Sequence, residues 1–270
     1  MPAVFMKITA VSYLNTKPFL YGIFQSGLDS EIELSLDMPS VCAQKLLSGE
    51  ADLGLVPVAA IPLLGESWLV SDFCIGSTGA VRTVCLFSEK PLAEIRRVWL
   101  DFHSNTSVAL VQILFRECWK QPVEFLAAAP GFEQKISGDT AAVLIGDRAI
   151  GLEKKFPFTI DLAEAWTNWT GLPFVFAAWV SRRPPDAVFV EKLNAAFKLG
   201  LNQIPQLTML IPPPAPDFDL KKYFTQNISY ELNALKINGL QLFLSKLDPD
   251  FDFEMLHRQT VAATTLELVS

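Results

Sequence analysis

The alternation of apolar and polar positions predicts an α/β protein. Residues 6–11 are apolar with β-branched side chains, and residues 32–36 alternate in the period-2 pattern that is typical of a strand. Pro39 begins a helical pattern that Gly49 closes, and the apolar segment 51–58 follows as a buried strand. Strand, helix and strand in this order predict a right-handed βαβ unit with a parallel sheet.

The rest of the chain continues this alternation of elements. We predict further strands at residues 84–87, 98–101, 141–145 and 172–180. A helix is expected from the polar loop 103–107 to about Trp119, and others after Asp186 and over residues 232–247. The tail beyond Asp248 gives no clear pattern.

The apolar strand at 84–87 gives way to the polar segment 88–91, where we place a crossover between domains. The later strand at 172–180 is interpreted as the return of the chain to the first domain. We therefore predict an inserted domain: residues 1–88 and 177–270 form lobe 1, and residues 89–176 form lobe 2. Each lobe is expected to be a mixed, mostly parallel sheet flanked by helices. A ligand would lie in the cleft between the lobes.

Composition narrows the classes of partner. The chain has 270 residues, 50% of them hydrophobic, and a net charge of -7 without a basic cluster, which argues against nucleic acid. It has no apolar stretch of about 18 residues that would span a membrane, and its opening lacks the features of a secretory signal. We expect a cytoplasmic location. The apolar faces of the last helices leave a homodimer open.

Metal chemistry is not expected from the cysteine and histidine pattern. The four cysteines form no C-x-x-C pair, and His103 and His257 are far apart in the sequence. Each cysteine lies in an apolar run, which predicts buried, reduced thiols. His103 is near a candidate site, but a structural role is the favoured interpretation for a lone histidine.

The segment Ser104, Asn105, Thr106 and Ser107 stands between a strand and a helix. Backbone N–H groups at a helix start bind carboxylates, although ordinary N-capping explains the same residues. Arg82 is a candidate carboxylate clamp or an interlobe ion pair, and Ser77 and Thr83 offer hydroxyl groups near it.

Asn15 follows the first strand, where ligands gather in parallel α/β sheets, and Ser12 and Tyr13 share its loop. The alternative for Asn15 is a turn residue before Pro18. For Arg148, next to Asp147, a structural ion pair or turn is favoured. For Trp166 and Trp169, core or hinge packing is favoured over a ring-binding wall.

Seven stretches, in order and spanning about residues 6–247, resemble the menaquinone-pathway chorismate dehydratases. They lie at residues 11–18, 52–58, 79–88, 104–107, 144–149, 164–177 and 227–230. The resemblance implies a fold like that of type II periplasmic binding proteins and a lyase that removes water from chorismate, a dicarboxylate, without a metal or redox cofactor. It also implies that Asn15 is catalytic and that Ser12, Tyr13, Ser77, Arg82, Thr83 and residues 104–107 bind substrate.

The base that takes the proton is not evident, because the motifs place no Asp or Glu in an obvious position. We hypothesise that the enolpyruvyl carboxylate of the substrate takes it, with Asn15 fixing its geometry. Two other functions remain open: a non-catalytic binding protein for a small organic anion, and the sibling lyase 1,4-dihydroxy-6-naphthoate synthase. The opening motif at residues 12–15 and the motif at 146–148 favour the dehydratase.

Overall fold

A computed structural model describes residues 5–258, and these residues form two lobes, each built on a mixed sheet with helices against it. The tail that gave no clear pattern is described up to Arg258, and its remainder lies outside the described residues, as do residues 1–4. None of the described helices is long and apolar enough to cross a membrane.

Lobe 1 contains a seven-stranded sheet in the order β11-β4-β10-β3-β1-β2, with β12 paired to β4. Its strands are β1 (Met6–Val11), β2 (Ile32–Asp37), β3 (Leu53–Pro57), β4 (Ser67–Ser77), β10 (Phe174–Ser181), β11 (Ser229–Glu231) and β12 (Leu256–Arg258). β1 pairs in parallel with both β2 and β3, which confirms the parallel arrangement predicted from the first elements. β10 runs antiparallel between β3 and β4.

Lobe 2 contains a five-stranded sheet in the order β7-β6-β8-β5-β9. Its strands are β5 (Val84–Ser88), β6 (Arg97–Leu100), β7 (Glu124–Ala127), β8 (Thr140–Ile145) and β9 (Phe158–Asp161). The expected boundary after residue 88 assigned β5 to lobe 1, whereas β5 pairs with β8 and β9 in the lobe 2 sheet. Apolar patterning shows that β5 is buried but cannot show which sheet buries it. The return strand β10 likewise begins at Phe174, three residues before the expected boundary.

The helices pack on both sheets. They are α1 (Lys17–Ser26), α2 (Pro39–Ser48), α3 (Ile61–Leu64), α4 (Asn105–Ile113), α5 (Leu162–Thr170), α6 (Ala187–Asn202), α7 (Ile204–Leu210), α8 (Leu220–Lys222) and α9 (Ala234–Leu247). Gly49 ends α2 in the left-handed region and the Asp186 side chain caps α6, as the sequence predicts. The helical turn after α4 continues as a π-helical segment to Cys118, so the predicted end near Trp119 is confirmed.

Two glycines let α1 and α6 approach closely on one side of lobe 1. A Cβ atom at Gly22 would lie 1.9 Å from the carbonyl oxygen of Ala196, and one at Gly200 would lie 1.9 Å from that of Pro18. Any side chain at either position would force the helices apart. Because α1 begins directly after the turn that carries Asn15, its close packing against α6 anchors the chain next to that turn.

Candidate functional site

A cavity lies between the lobes, where strands from both sheets end. Val11 and Pro57 end β1 and β3 in lobe 1, and Ile145 ends β8 in lobe 2. The cavity measures about 50 Å³ and is lined by Val11, Tyr13, Asn15, Pro39, Pro57, Ile75, Val81, Thr83, Val84, Ser104, Ser107, Ile145, Gly146, Phe176 and Ala177. None of these described residues carries a charge. We call this cavity the interlobe cleft.

Asn15 enters the cleft from the short 3-10 turn that follows β1. Its backbone carbonyl accepts a 3.0 Å hydrogen bond from the hydroxyl of Tyr230 on β11. Its side-chain oxygen accepts a 3.3 Å hydrogen bond from the Thr16 hydroxyl. Asn15 is therefore held at its backbone and at its amide by groups of lobe 1.

Thr83 lies on the hinge segment, the connection between β4 and β5. Its hydroxyl lies 3.0 Å from the hydroxyl of Tyr223, and both side chains are buried. Burial raises the pKa of Tyr223 well above the usual value of a phenol, while hydrogen bonds with Thr83 and Asn15 act in the opposite direction. Tyr223 therefore stays neutral and links the hinge to the Asn15 amide.

The start of α4 forms the lobe 2 side of the cleft. The Ser104 side chain caps the helix by accepting a 3.3 Å hydrogen bond from the backbone N–H of Ser107, and both residues line the cleft. The N–H groups of Asn105 and Thr106 are in the first turn and have no acceptor within the helix. These groups and the helix dipole give this wall a positive potential without a charged side chain.

Tyr13 joins the two lobes at the mouth of the cleft. Its hydroxyl lies 2.8 Å from Nδ1 of His103 in lobe 2. Burial, and next the positive charge of Arg148, lower the pKa of His103 below its usual value. Neutral His103 can accept or donate at Nδ1 depending on its tautomer.

The structure brings Tyr13, Asn15, Thr83, Ser104 and Ser107 together around the cleft, and it places the other predicted site residues elsewhere. Ser12 is exposed, and the hydroxyl of buried Ser77 closes a turn with the backbone of Gly79. Asn105 is exposed on the outer side of α4. The Thr106 hydroxyl faces lobe 1 and accepts a 3.1 Å hydrogen bond from the backbone N–H of Ala59.

Arg82 does not line the interlobe cleft. Along the hinge segment, Val81 and Thr83 line the cleft, whereas Ala80 and Arg82 line a separate groove of about 460 Å³ on the opposite face. Arg82 has a positive φ of 68°, and its backbone N–H donates a 2.7 Å hydrogen bond to Asp161. The backbone turns at Arg82, and its side chain lies outside the described lining of the cleft, so the predicted clamp on a substrate carboxylate stays a prediction.

The favoured structural interpretations of Arg148, Trp166 and the cysteines can be compared with their surroundings. Arg148 forms an ion pair, but its partner is the buried Asp101 at 2.5 Å and not the adjacent Asp147. Trp166 is fully buried and packs against Phe174 and Phe243, which confirms core packing. Cys42, Cys74 and Cys85 are buried free thiols, and Cys118 is half-buried.

Sequence reasoning missed most of the apolar cleft wall and both buried tyrosines. Several of the missed wall residues lie at the ends of strands. Because ligands bind at the carboxyl ends of parallel strands, this position could have identified them. Tyr230 lay within a recognised motif, but Tyr223 had no local signal because it reaches Thr83 from 140 residues away.

The arrangement is suited to holding an anion with neutral donors. The cleft offers hydroxyl, amide and helix N–H groups, and no described residue of its lining is an acid or base at neutral pH. A bound carboxylate would lose its hydration and would need these donors in compensation. A reaction at this site must therefore find its proton acceptor on the substrate or outside the lining.

Comparison with known proteins gives a consistent result. Residues 6–248 match a family model described as menaquinone biosynthesis. The chain is 33% identical over 245 residues to the chorismate dehydratase of Thermus thermophilus, covering 79% of this chain and 86% of that protein.

Solved structures share the fold at low sequence identity. A protein from Archaeoglobus fulgidus has a TM-score of 0.65 at 13% identity, covering 93% of this chain and 96% of its own. The alkanesulfonate-binding protein of Xanthomonas axonopodis has a TM-score of 0.62 at 14% identity. The match covers 96% of this chain and 99% of that protein. A Candida albicans protein described as having the generic periplasmic binding protein fold has a TM-score of 0.63 at 8% identity, with coverage of 93% of both chains.

Proposed function

Because the chain belongs to the menaquinone biosynthesis family, we propose that it is a chorismate dehydratase, which converts chorismate to 3-[(1-carboxyvinyl)oxy]benzoate and water. The structural observation that carries the proposal is the uncharged interlobe cleft, which presents Asn15 opposite the start of α4. The enzyme is a carbon–oxygen lyase that needs no redox change, since substrate and product differ only by water.

The chemistry explains what the cleft must do. The proton on C3 of chorismate is vinylogous to the ring carboxylate, so its removal sends negative charge onto that carboxylate. The resulting dienolate becomes aromatic as the C4 hydroxyl group departs, and this group takes up the proton lost from C3 and leaves as water. Donors placed at the ring carboxylate therefore stabilise the transition state more than the ground state.

The first turn of α4 is the proposed site for this charge. A helix terminus contributes about 0.3–1 kcal/mol in exposed settings and up to about 2 kcal/mol when partly buried. Enzymes lower barriers by about 8–23 kcal/mol, so the helix alone does not account for catalysis. Orientation of the substrate and exclusion of water in the closed cleft must supply the larger part.

The proton acceptor is proposed to be the enolpyruvyl carboxylate of the substrate itself. The described lining of the cleft has no acidic side chain and no histidine, which favours a base that arrives with the substrate. Asn15 would donate a hydrogen bond to this carboxylate and hold it over the C3 proton. Its amide is suited to this because it donates without competing for the proton.

Substrate entry requires the lobes to separate. A cavity of about 50 Å³ is much smaller than the roughly 300–1,000 Å³ of ordinary small-molecule sites. The contacts from Tyr13 to His103 and from Ala59 to Thr106 cross between the lobes and must break on opening. The structure thus corresponds to a closed form, in which the two lobes are in direct contact beside the cleft.

The test is incubation of the purified protein, treated to remove metal ions, with chorismate, followed by liquid chromatography and mass spectrometry. A new aromatic product lighter by one water supports the proposal. Unchanged chorismate, with a known dehydratase active in the same buffer, would overturn it and favour a binding role. The cyclic futalosine-type substrate of the sibling lyase would then be the next compound to test.

A further inference from the structure

Two sequence segments from different lobes meet at the mouth of the cleft. One is the loop of lobe 1 that carries Tyr13, Leu14 and Asn15, and the other is the turn Gly146–Ala149 of lobe 2, which follows β8. Three separate contacts join lobe 1 to this region of lobe 2. They are made by Gly146, Asp147 and the neighbouring His103. We call the lobe 2 side of this contact, formed by His103, Gly146, Asp147 and Arg148, the socket.

The first contact is steric. Gly146 has a φ of 64°, and a Cβ atom built on it would lie 2.8 Å from two ring atoms of Tyr13 and 2.9 Å from a third. The ring therefore lies directly on the glycine backbone, where no side chain fits. Gly138, also in lobe 2, has a similar φ of 56°, but a Cβ atom there would meet nothing within 4 Å.

The second contact is a hydrogen bond to the backbone. The N–H of Leu14 donates to the Asp147 carboxylate, with 3.1 Å and 3.2 Å to its two oxygens. Leu14 directly precedes Asn15. The position of this carboxylate in lobe 2 therefore constrains the backbone from which the Asn15 side chain projects.

The third contact is made by the Tyr13 hydroxyl, and its partner is held by lobe 2 alone. The buried Asp101 accepts a 3.0 Å hydrogen bond from the backbone N–H of His103 and forms the ion pair with Arg148. It also accepts a 3.2 Å hydrogen bond from the N–H of Ile145. The backbone of His103 is thus fixed within lobe 2, and its Nδ1 lies 2.8 Å from the tyrosine hydroxyl.

We propose that docking of Tyr13 and Leu14 in the socket sets the position of Asn15 for the reaction, which makes Gly146 and Asp147 positioning residues. Lobe 1 alone holds Asn15 through Tyr230 and Thr16, and the socket adds the constraint from the opposite lobe. Asn15 reaches its working position only when the lobes close. The inference rests on the proposed dehydration, since that reaction gives the position of Asn15 its importance.

The first test uses the steric contact. Gly146→Ala places a methyl group against the Tyr13 ring, and we expect kcat/KM for chorismate to fall about 10²-fold, the loss typical of a 1 Å misplacement. Gly138→Ala introduces the same backbone strain without a neighbour and should leave kcat/KM near the wild-type value. In a Tyr13→Ala background, adding Gly146→Ala should cost little more than Gly138→Ala does. Independent losses from the two substitutions would overturn the proposal.

The second test measures closure without relying on turnover. Small-angle X-ray scattering of the wild type should show a smaller radius of gyration when 3-[(1-carboxyvinyl)oxy]benzoate is added. Asp147→Ala should weaken this change, and Asp147→Asn should retain it because the amide oxygen still accepts from Leu14. Equal compaction in all three proteins would contradict the socket. If compaction and its loss occur as expected but the wild type leaves chorismate unchanged, the proposed function fails and the docking role stands.

Discussion

The hydroxyl of Tyr230 on β11 donates a 3.0 Å hydrogen bond to the backbone carbonyl of Asn15, which follows β1. The two residues lie 215 positions apart in the sequence, and β4, β10 and β3 lie between β11 and β1 in the lobe 1 sheet. Buried Lys236 supports this contact, since its Nζ donates to the carbonyls of Ser229 and Glu231, on either side of Tyr230. A strand late in the chain thus holds the candidate catalytic residue, which lies early in the chain.

Removing this hydroxyl should affect both stability and turnover. Tyr230→Phe leaves the Asn15 carbonyl without its partner, and we expect the free energy of unfolding to fall by about 0.5–1.5 kcal/mol. We also expect kcat to fall, because the backbone of Asn15 gains freedom. Urea denaturation and steady-state kinetics measure the two effects. Unchanged kcat in a folded variant would show that the Tyr230 contact is structural only.

Replacement of Asn15 tests the proposed base directly. Asn15→Asp keeps the size of the side chain but places a negative charge against the enolpyruvyl carboxylate. We expect kcat to fall by at least about 10²–10³-fold, as for the loss of one donor to a developing anion. Asn15→Ala separates loss of the donor from added repulsion. Near-normal turnover by Asn15→Asp, with wild-type circular dichroism, would contradict the assigned role.

Ser104, which caps α4, and Asp186, which caps α6, offer a matched pair of capping variants. Ser104→Ala and Asp186→Ala each remove a side chain that caps a helix, and each should cost about 1 kcal/mol of stability. Only Ser104 lines the cleft, so only Ser104→Ala should also lower kcat/KM for chorismate. Thermal denaturation and kinetics of both variants check this. Equal effects on kcat/KM would show that loss of stability alone explains the change.

The two histidines allow a test of pH dependence. Burial lowers the pKa of His103 in the folded state, so the unfolded chain binds more protons in the interval below its ordinary value of about 6.5. The stabilising contribution of neutral His103 is present above pH 6.5 and is lost as the pH falls through the lower folded-state value. His103→Asn should therefore flatten the decline of unfolding free energy on acidification.

His257→Asn is the control for this measurement. His257 is exposed in lobe 1, and its ring lies 3.0 Å from Glu66, away from the cleft. Urea denaturation of both variants and the wild type at intervals between about pH 5 and pH 7.5 gives the comparison. An unaltered pH dependence in His103→Asn would mean that His103 does not titrate differently on folding.

Individual strands and helices could be predicted from the sequence because the residues that determine them are close together in the chain. The period-2 pattern of β2, the glycine after α2 and the aspartate before α6 act over a few residues, and the structure contains each. Asn15 was placed after the first strand and Ser104 at a helix start for the same reason. The resemblance of seven ordered stretches to one family supplied the fold and the expected reaction, which local patterns do not contain.

Tertiary structure alone decided which residues share the cleft. Arg82 and Thr83 are adjacent in the sequence, but they line different cavities, and the backbone turns at Arg82, which has a φ of 68°. The apolar sequence of β5 is compatible with a buried strand in either lobe. Only its pairing with β8 and β9 assigns it to lobe 2. Tyr223 and the socket are joined to the site across long sequence separations. Such contacts depend on chain topology and lobe closure, and neither leaves a signal in the neighbouring residues.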